Sequence, residues 1–408
     1  MPAFFPRIAA CLITGAWILA GCGASSPQTD TTGGPAVSSA GSGGGNGTTG
    51  TTGGTAGNTV GGTSGSTTGP LAPTNVTAQT LGLLVNPEDP QSVAVASAYQ
   101  TLRGIPAENV FALPFARDGG GGRDTLDALT FDQLKQALDG DAGSKIQAYA
   151  ISWTFPFAVE DSSGCIMSIT SAFGLGFNEK WCIKADAGTC GITATDPYYK
   201  SKSISPYTDL GIRPTMMLAG ADAGAAIAVI ERGAASDATY PKGNADLVIT
   251  TDSVRSVRYM EFDALAKSWD GGDGVFVDVI DNSASTVDQG ALLDAGSVLF
   301  YLTGLATVSG LETNQYLNGA VGDSLTSFGG YLSGAGQTTC LDWLYAGLTG
   351  SMGTVREPCN YTTKFSDPTI LVPDYTSGAT LVEAYWKSVA WPGEGLFTGD
   401  PLARPWGG

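Results

Sequence analysis

Asp323, Thr326, Ser327 and Glu357 are the residues whose types and spacing could do chemistry together. Asp323 and Thr326-Ser327 follow a segment that reads as a strand, and Glu357 closes a neighbouring one. Ligand sites in parallel sheets gather at the carboxyl ends of strands. That placement predicts Asp323 and Glu357 facing one crevice as a catalytic carboxylate pair, one as acid and one as base. Thr326 and Ser327 would supply polar contacts beside them. The competing reading gives these groups local work only: Asp323 caps a turn, and the hydroxyls satisfy loop backbone.

The chain contains no histidine. That removes Ser-His-Asp and Cys-His mechanisms and His-based zinc and iron sites. Gly350-Ser351-Met352-Gly353 approaches a nucleophile elbow, but Thr349 replaces the first glycine and a strand follows where a helix should. A tight strand entry fits better. Lys364 and Lys387 could in principle activate a serine, but nothing in the sequence brings them to one. Arg213, Asp252, Arg255 and Arg258 concentrate charge in a chain sparing of arginine, as a carboxylate clamp or as structural ion pairs. Asp270-Gly-Gly-Asp273 lacks EF-hand spacing and reads as an exposed turn. No metal and no cofactor is expected. Net charge is −18, which disfavours nucleic acid and anionic headgroups as partners.

The first 21 residues read as a lipoprotein signal peptide. Arg7 gives a basic start, Ile8 to Ala20 is apolar but too short to span a bilayer, and Leu19-Ala-Gly-Cys22 resembles the bacterial lipobox. Cys22 is the expected lipidation site, and its acyl chains would make the membrane a partner. Residues 22–72 form a Gly/Ser/Thr-rich tether in which Asp30 is the only charge. Such a segment has almost nothing to bury, and as a coil of about 50 residues it would reach roughly 40 Å. These features predict a cell-envelope protein facing the periplasm or exterior.

Residues 73–408 are expected to form one domain. Leu81 to Asn86 reads as a strand, followed by a helix capped by Ser92 and running to Arg103, with Val95, Tyr99 and Leu102 inward. Asn109 to Phe115 is a second strand. Thr130 and Gln133 suggest a capping box for a helix with Phe131, Leu134 and Leu138 inward, and Ile146 to Trp153 a third strand. This alternation predicts a three-layer α/β fold with a mostly parallel sheet. Further along, Pro214 to Ala219, Val275 to Ile280 and Val298 to Leu302 read as strands. Helices are expected over Asp222 to Arg232, Thr338 to Tyr345 and Thr380 to Val389, with a loop from Asp323 to Gly330.

Five of the seven cysteines fall in this domain. The helix carrying Cys340 covers about 13 Å, and the strand back toward Cys359 about 17 Å. The near cancellation predicts a Cys340–Cys359 disulfide. Cys182–Cys190 is a second pairing on short spacing, with Cys165–Cys182 nearly equal to it.

Several boxes resemble an exported bacterial protein family without an established activity. They are Val85-Asn-Pro-Glu-Asp-Pro90 with Arg103-Gly-Ile-Pro106 and Asn109-Val110; Cys165 with Ser168-Ile-Thr170; Asp323 with Thr326-Ser-Phe-Gly-Gly330; Ala346 to Val355 with Glu357-Pro-Cys359; and Glu383 to Val389 with Trp391-Pro-Gly393. More loosely, the strand, polar loop, helix and returning strand resemble the gingipain and caspase-like scaffold, here without its catalytic histidine. The expectation that follows is a lipid-anchored envelope protein whose domain binds an extracellular polymer or protein. The alternatives are a His-independent hydrolase using Asp323 and Glu357, and a structural surface protein.

Overall fold

The computed structural model describes residues 73–407 except 119, 185–190 and 358. The expected signal peptide, Cys22, the expected tether and Cys190 lie outside the described residues. Strand β1 (Leu81–Val85) leads into α1 (Pro90–Arg103). Pro90 stands at N1, where its missing N–H costs nothing, and Asp89 caps by accepting from the Gln91 amide at 3.0 Å. The cap is therefore Asp89 and not Ser92, which lies inside the helix with its hydroxyl on the Asn86 amide. Val95 and Tyr99 are buried as the spacing requires, while Leu102 is 45% exposed.

Then come β2 (Val110–Ala112), β3 (Thr125–Asp127), α2 (Ala128–Ala142), β4 (Ala148–Ile151), β5 (Ala158–Glu160), β6 (Cys165–Ser168), α3 (Ile169–Leu175) and β7 (Ile183–Lys184). Asp127, not Thr130, caps α2, because its carboxylate reaches the Leu129 and Thr130 amides. The chain continues through α4 (Pro206–Leu210), β8 (Thr215–Met217), α5 (Ala223–Ser236), β9 (Gly243–Ile249), α6 (Tyr259–Ser268), β10 (Val275–Asp281) and β11 (Val298–Thr303). It closes with β12 (Tyr316–Ser324), α7 (Cys340–Ala346), β13 (Gly350–Thr354), α8 (Pro368–Thr376), α9 (Leu381–Ser388) and β14 (Gly395–Gly399).

Ten strands form one sheet in the order β10-β9-β11-β12-β13-β14-β8-β4-β1-β2. Every pairing is parallel except β13 with β14. β3, β5, β6 and β7 form a smaller sheet. One large apolar cluster joins residues of α1, α6, α8 and α9 to one face of the main sheet. A second joins α2, α3, α7 and the small sheet to the other face. α5 packs on α1 and feeds both clusters, with Ala226 and Ile230 in one and Val229 in the other. This is a three-layer α/β fold. Among the described residues, no helix is long and apolar enough to cross a membrane.

The disulfide expectations need correction. The bond observed joins Cys165 to Cys182, with Cα atoms 5.5 Å apart, so Cys182 is not available to Cys190. It ties β6 to the entry of β7, its antiparallel neighbour. Cys340 is a free, buried thiol, and Cys359 is disulfide-bonded elsewhere. The rises of helix and strand do nearly cancel, but rise says nothing about direction. Cys340 Sγ faces the sheet, 3.9 Å from the Leu396 carbonyl of β14, whereas Cys359 lies on the rim of a surface crevice. Burial pushes the Cys340 thiol up to about 12, so it stays protonated.

Candidate functional site

The two boxes at Thr326-Ser-Phe-Gly-Gly330 and Gly353-Thr-Val355 meet at the carboxyl end of β12 and β13. The Thr354 hydroxyl donates to the carbonyls of Thr326 (3.1 Å) and Ser327 (3.0 Å), and the Gly330 amide donates to the Thr354 carbonyl at 2.9 Å. The loop lies so close to the strand that a Cβ on Gly353 would sit 2.3 Å from the Gly329 carbonyl carbon. Glycine is needed there for close approach of two backbones. These contacts fix Thr326 and Ser327 at the mouth of the sheet.

A crevice of about 180 Å³ opens beside them, lined by Arg255, Thr326, Ser327, Glu357 and Asn360 among others. Arg255 donates from Nε to the Thr326 hydroxyl at 3.2 Å and pairs with Asp252 at 2.8 Å. Thr326 passes its own proton to Gln337 Oε1 at 2.8 Å, and that oxygen also accepts from the Phe328 amide at 2.9 Å. Glu357 is exposed and accepts from the Cys359 amide at 2.8 Å. Asn360 donates to the Val254 carbonyl at 3.1 Å, closing the far rim.

Thr326, Ser327 and Glu357 thus share one crevice, and Asp323 does not line it. β12 runs on to Ser324, so Asp323 belongs to the strand and not to the loop expected there. Alternation along a strand sets its direction. Gly322 faces Leu348 and Trp343, so Asp323 faces the opposite layer, where it is fully buried. It pairs with Arg258 at 2.7 Å and accepts from the Ser366 hydroxyl. Arg258 also donates to the Thr303 carbonyl at 2.6 Å and the Ser366 carbonyl at 3.2 Å. One guanidinium therefore ties β11, β12 and the entry to α8 together. Arg213 is structural as well, bonded to Asp139 and to the Ile146 carbonyl.

A second buried pair lies under the same end of the sheet. Lys364 Nζ is 2.8 Å from Glu394, with both side chains at most 1% exposed. Burial pushes the Glu394 carboxyl up to about 7, against the opposing pull of Lys364. Sequence reasoning missed this pair, because 30 residues separate the partners and no motif marks either. The same is true of Gln337, whose amide organises the Thr326 turn. Ser351 is fully buried within β13 and presents no nucleophile to solvent. Asp270 accepts from the Gly272 amide at 3.0 Å, as an Asp-Gly turn does. Among the described residues, no group of three or more cysteine and acidic side chains could hold a metal ion.

The site is thus a small polar crevice at the carboxyl edge of a large, mostly parallel sheet, above two closed ion pairs. No protein family, curated protein or solved structure matches this chain.

Proposed function

We propose that this is a lipid-anchored cell-envelope protein, facing the periplasm or exterior, whose domain binds an extracellular polymer or protein through the Thr326 crevice. The reading includes kinship with the exported family that its sequence boxes resemble. One observation carries it: the ionisable groups at the carboxyl edge are spent on one another. Asp323 is held by Arg258, Lys364 by Glu394, and Arg255 by Asp252. Glu357 is left as an exposed carboxylate on the crevice, and the Asp323 expected to act with it is buried in the opposite layer. Acid–base catalysis needs a positioned partner. The crevice is also smaller than the roughly 300 Å³ at which small-molecule sites begin. It suits one projecting group of a larger ligand. Anchoring is supported by the lipobox at Cys22 and the polar tether after it.

The test has two arms. Cys22→Ser should release the protein from membranes in high salt. The purified domain should retain a cell-wall or surface fraction on an affinity matrix, and Thr326→Ala with Ser327→Ala should weaken retention about tenfold, or about 1.4 kcal/mol. Hydrolysis of any retained polymer that stops with Glu357→Gln would replace this reading with an enzymatic one.

A further inference from the structure

A second site lies at the other half of the sheet. β1 has β2 on one side and β4 on the other, so the chain leaves β1 in one direction and later returns on its opposite flank. That is a topological switch point, where open α/β sheets form a crevice beyond the strand ends. A cavity of about 430 Å³ opens there, within the range of small-molecule sites.

Its floor is rigid. Ser92 and Ser152 share a hydrogen bond of 2.6 Å, and Ser152 donates to the Leu84 carbonyl at 2.9 Å, locking α1, β4 and β1 together. Gln91 donates from its amide to the Gly220 carbonyl at 3.1 Å. The Thr154 hydroxyl both donates to that carbonyl and accepts from the Gly220 amide.

The walls carry Arg117 and Arg123. Arg123 lies over the Phe155 ring, 4.1 Å from its centroid, which holds the guanidinium plane while leaving its edge donors free. Neither arginine has an ion-pair partner among the described residues, unlike Arg103, Arg213, Arg255 and Arg258. Both are exposed on the cavity lining, beside Asp89 and Asp118, so their donors are open to a ligand that enters it. The turn between them has Gly120 and Gly122 at φ +74° and +125°, a backbone that other residues rarely adopt. Asp118 stands on the same wall as an acceptor, with one oxygen on the Gly120 amide.

We infer that this cavity binds a polyol carrying an oxyanion, a sugar acid or a sugar phosphate. The oxyanion would take the two guanidiniums in bidentate fashion, and the hydroxyls would donate to Asp118. The inference is independent of the Thr326 crevice and stands whether or not that crevice holds a polymer.

Calorimetric titration of the whole exported chain with galacturonate, galactose 6-phosphate and galactose is the test. One or both of the charged sugars should bind saturably, and galactose at least tenfold more weakly. The better of the two identifies the oxyanion. Arg117→Gln and Arg123→Gln should each weaken it about tenfold, or about 1.4 kcal/mol, with unchanged melting curves. Glu357→Gln, in the other crevice, should bind as wild type. No saturable binding of either charged sugar at about 10 mM, equal binding of galactose, or equal loss in Glu357→Gln would overturn the inference.

Discussion

Lys364 and Glu394 form an ion pair 2.8 Å long that water does not reach. A pair of this kind contributes little net stability when intact, but leaving one charge alone in the interior costs about 3–5 kcal/mol. Lys364→Met should therefore lower the urea midpoint sharply, while the double variant Lys364→Met with Glu394→Met should recover most of the loss. Equal destabilisation by the single and double variants would show that the charges are not coupled.

Asp323 and Glu357 should separate cleanly by mutation. Asp323→Asn strips the buried Arg258 of its counter-charge and should cost about 3–5 kcal/mol. Glu357→Gln alters an exposed loop and should stay within about 0.5 kcal/mol of wild type. Chemical denaturation of both variants measures this, and a silent Asp323→Asn would contradict the structural role given to that carboxylate.

Asp196 gives a pH-dependent signature. One of its oxygens accepts from the Tyr198 amide at 2.9 Å, the other is buried without a partner, and burial pushes the carboxyl up to about 8. The folded chain then holds that proton more tightly than the unfolded chain. The resulting stability is fully present below the ordinary value near 4 and is lost as pH rises through about 8. Asp196→Asn cannot ionise, so its stability relative to wild type should climb between those limits. Parallel pH-dependent melts would show it, and a constant difference from pH 4 to 9 would refute it.

Non-reducing peptide mapping should recover Cys165 linked to Cys182 and Cys340 unmodified until the protein unfolds. Replacing Cys165 and Cys182 together by serine should cost about 3 kcal/mol, the chain-entropy value for a loop of this size.

The layered α/β architecture was legible because its carriers are local. The apolar runs at Leu81 and Val298 and the spacing of Val95 and Tyr99 each act within a few residues. Helix starts shifted toward Asp89 and Asp127 because aspartates just upstream outcompete Ser92 and Thr130 for the free amides. Thr326, Ser327 and Glu357 were found together because strand ends gather polar residues. Asp323 was misplaced because β12 runs two residues further than expected, through Asp323 and Ser324, and alternation along the strand then sends its side chain into the buried layer. The Arg258 and Lys364 pairings span long sequence separations, which only the assembled sheet reveals.

The final strand, β14, lies between β13 and β8 and is hydrogen-bonded to both. Within the sheet, β14 is the seam between the half holding β1, β2, β4 and β8 and the half holding β9 to β13. Loosening its pairing with β13 or β8 would part the sheet into two blocks with open edges, each keeping its own parallel pairings.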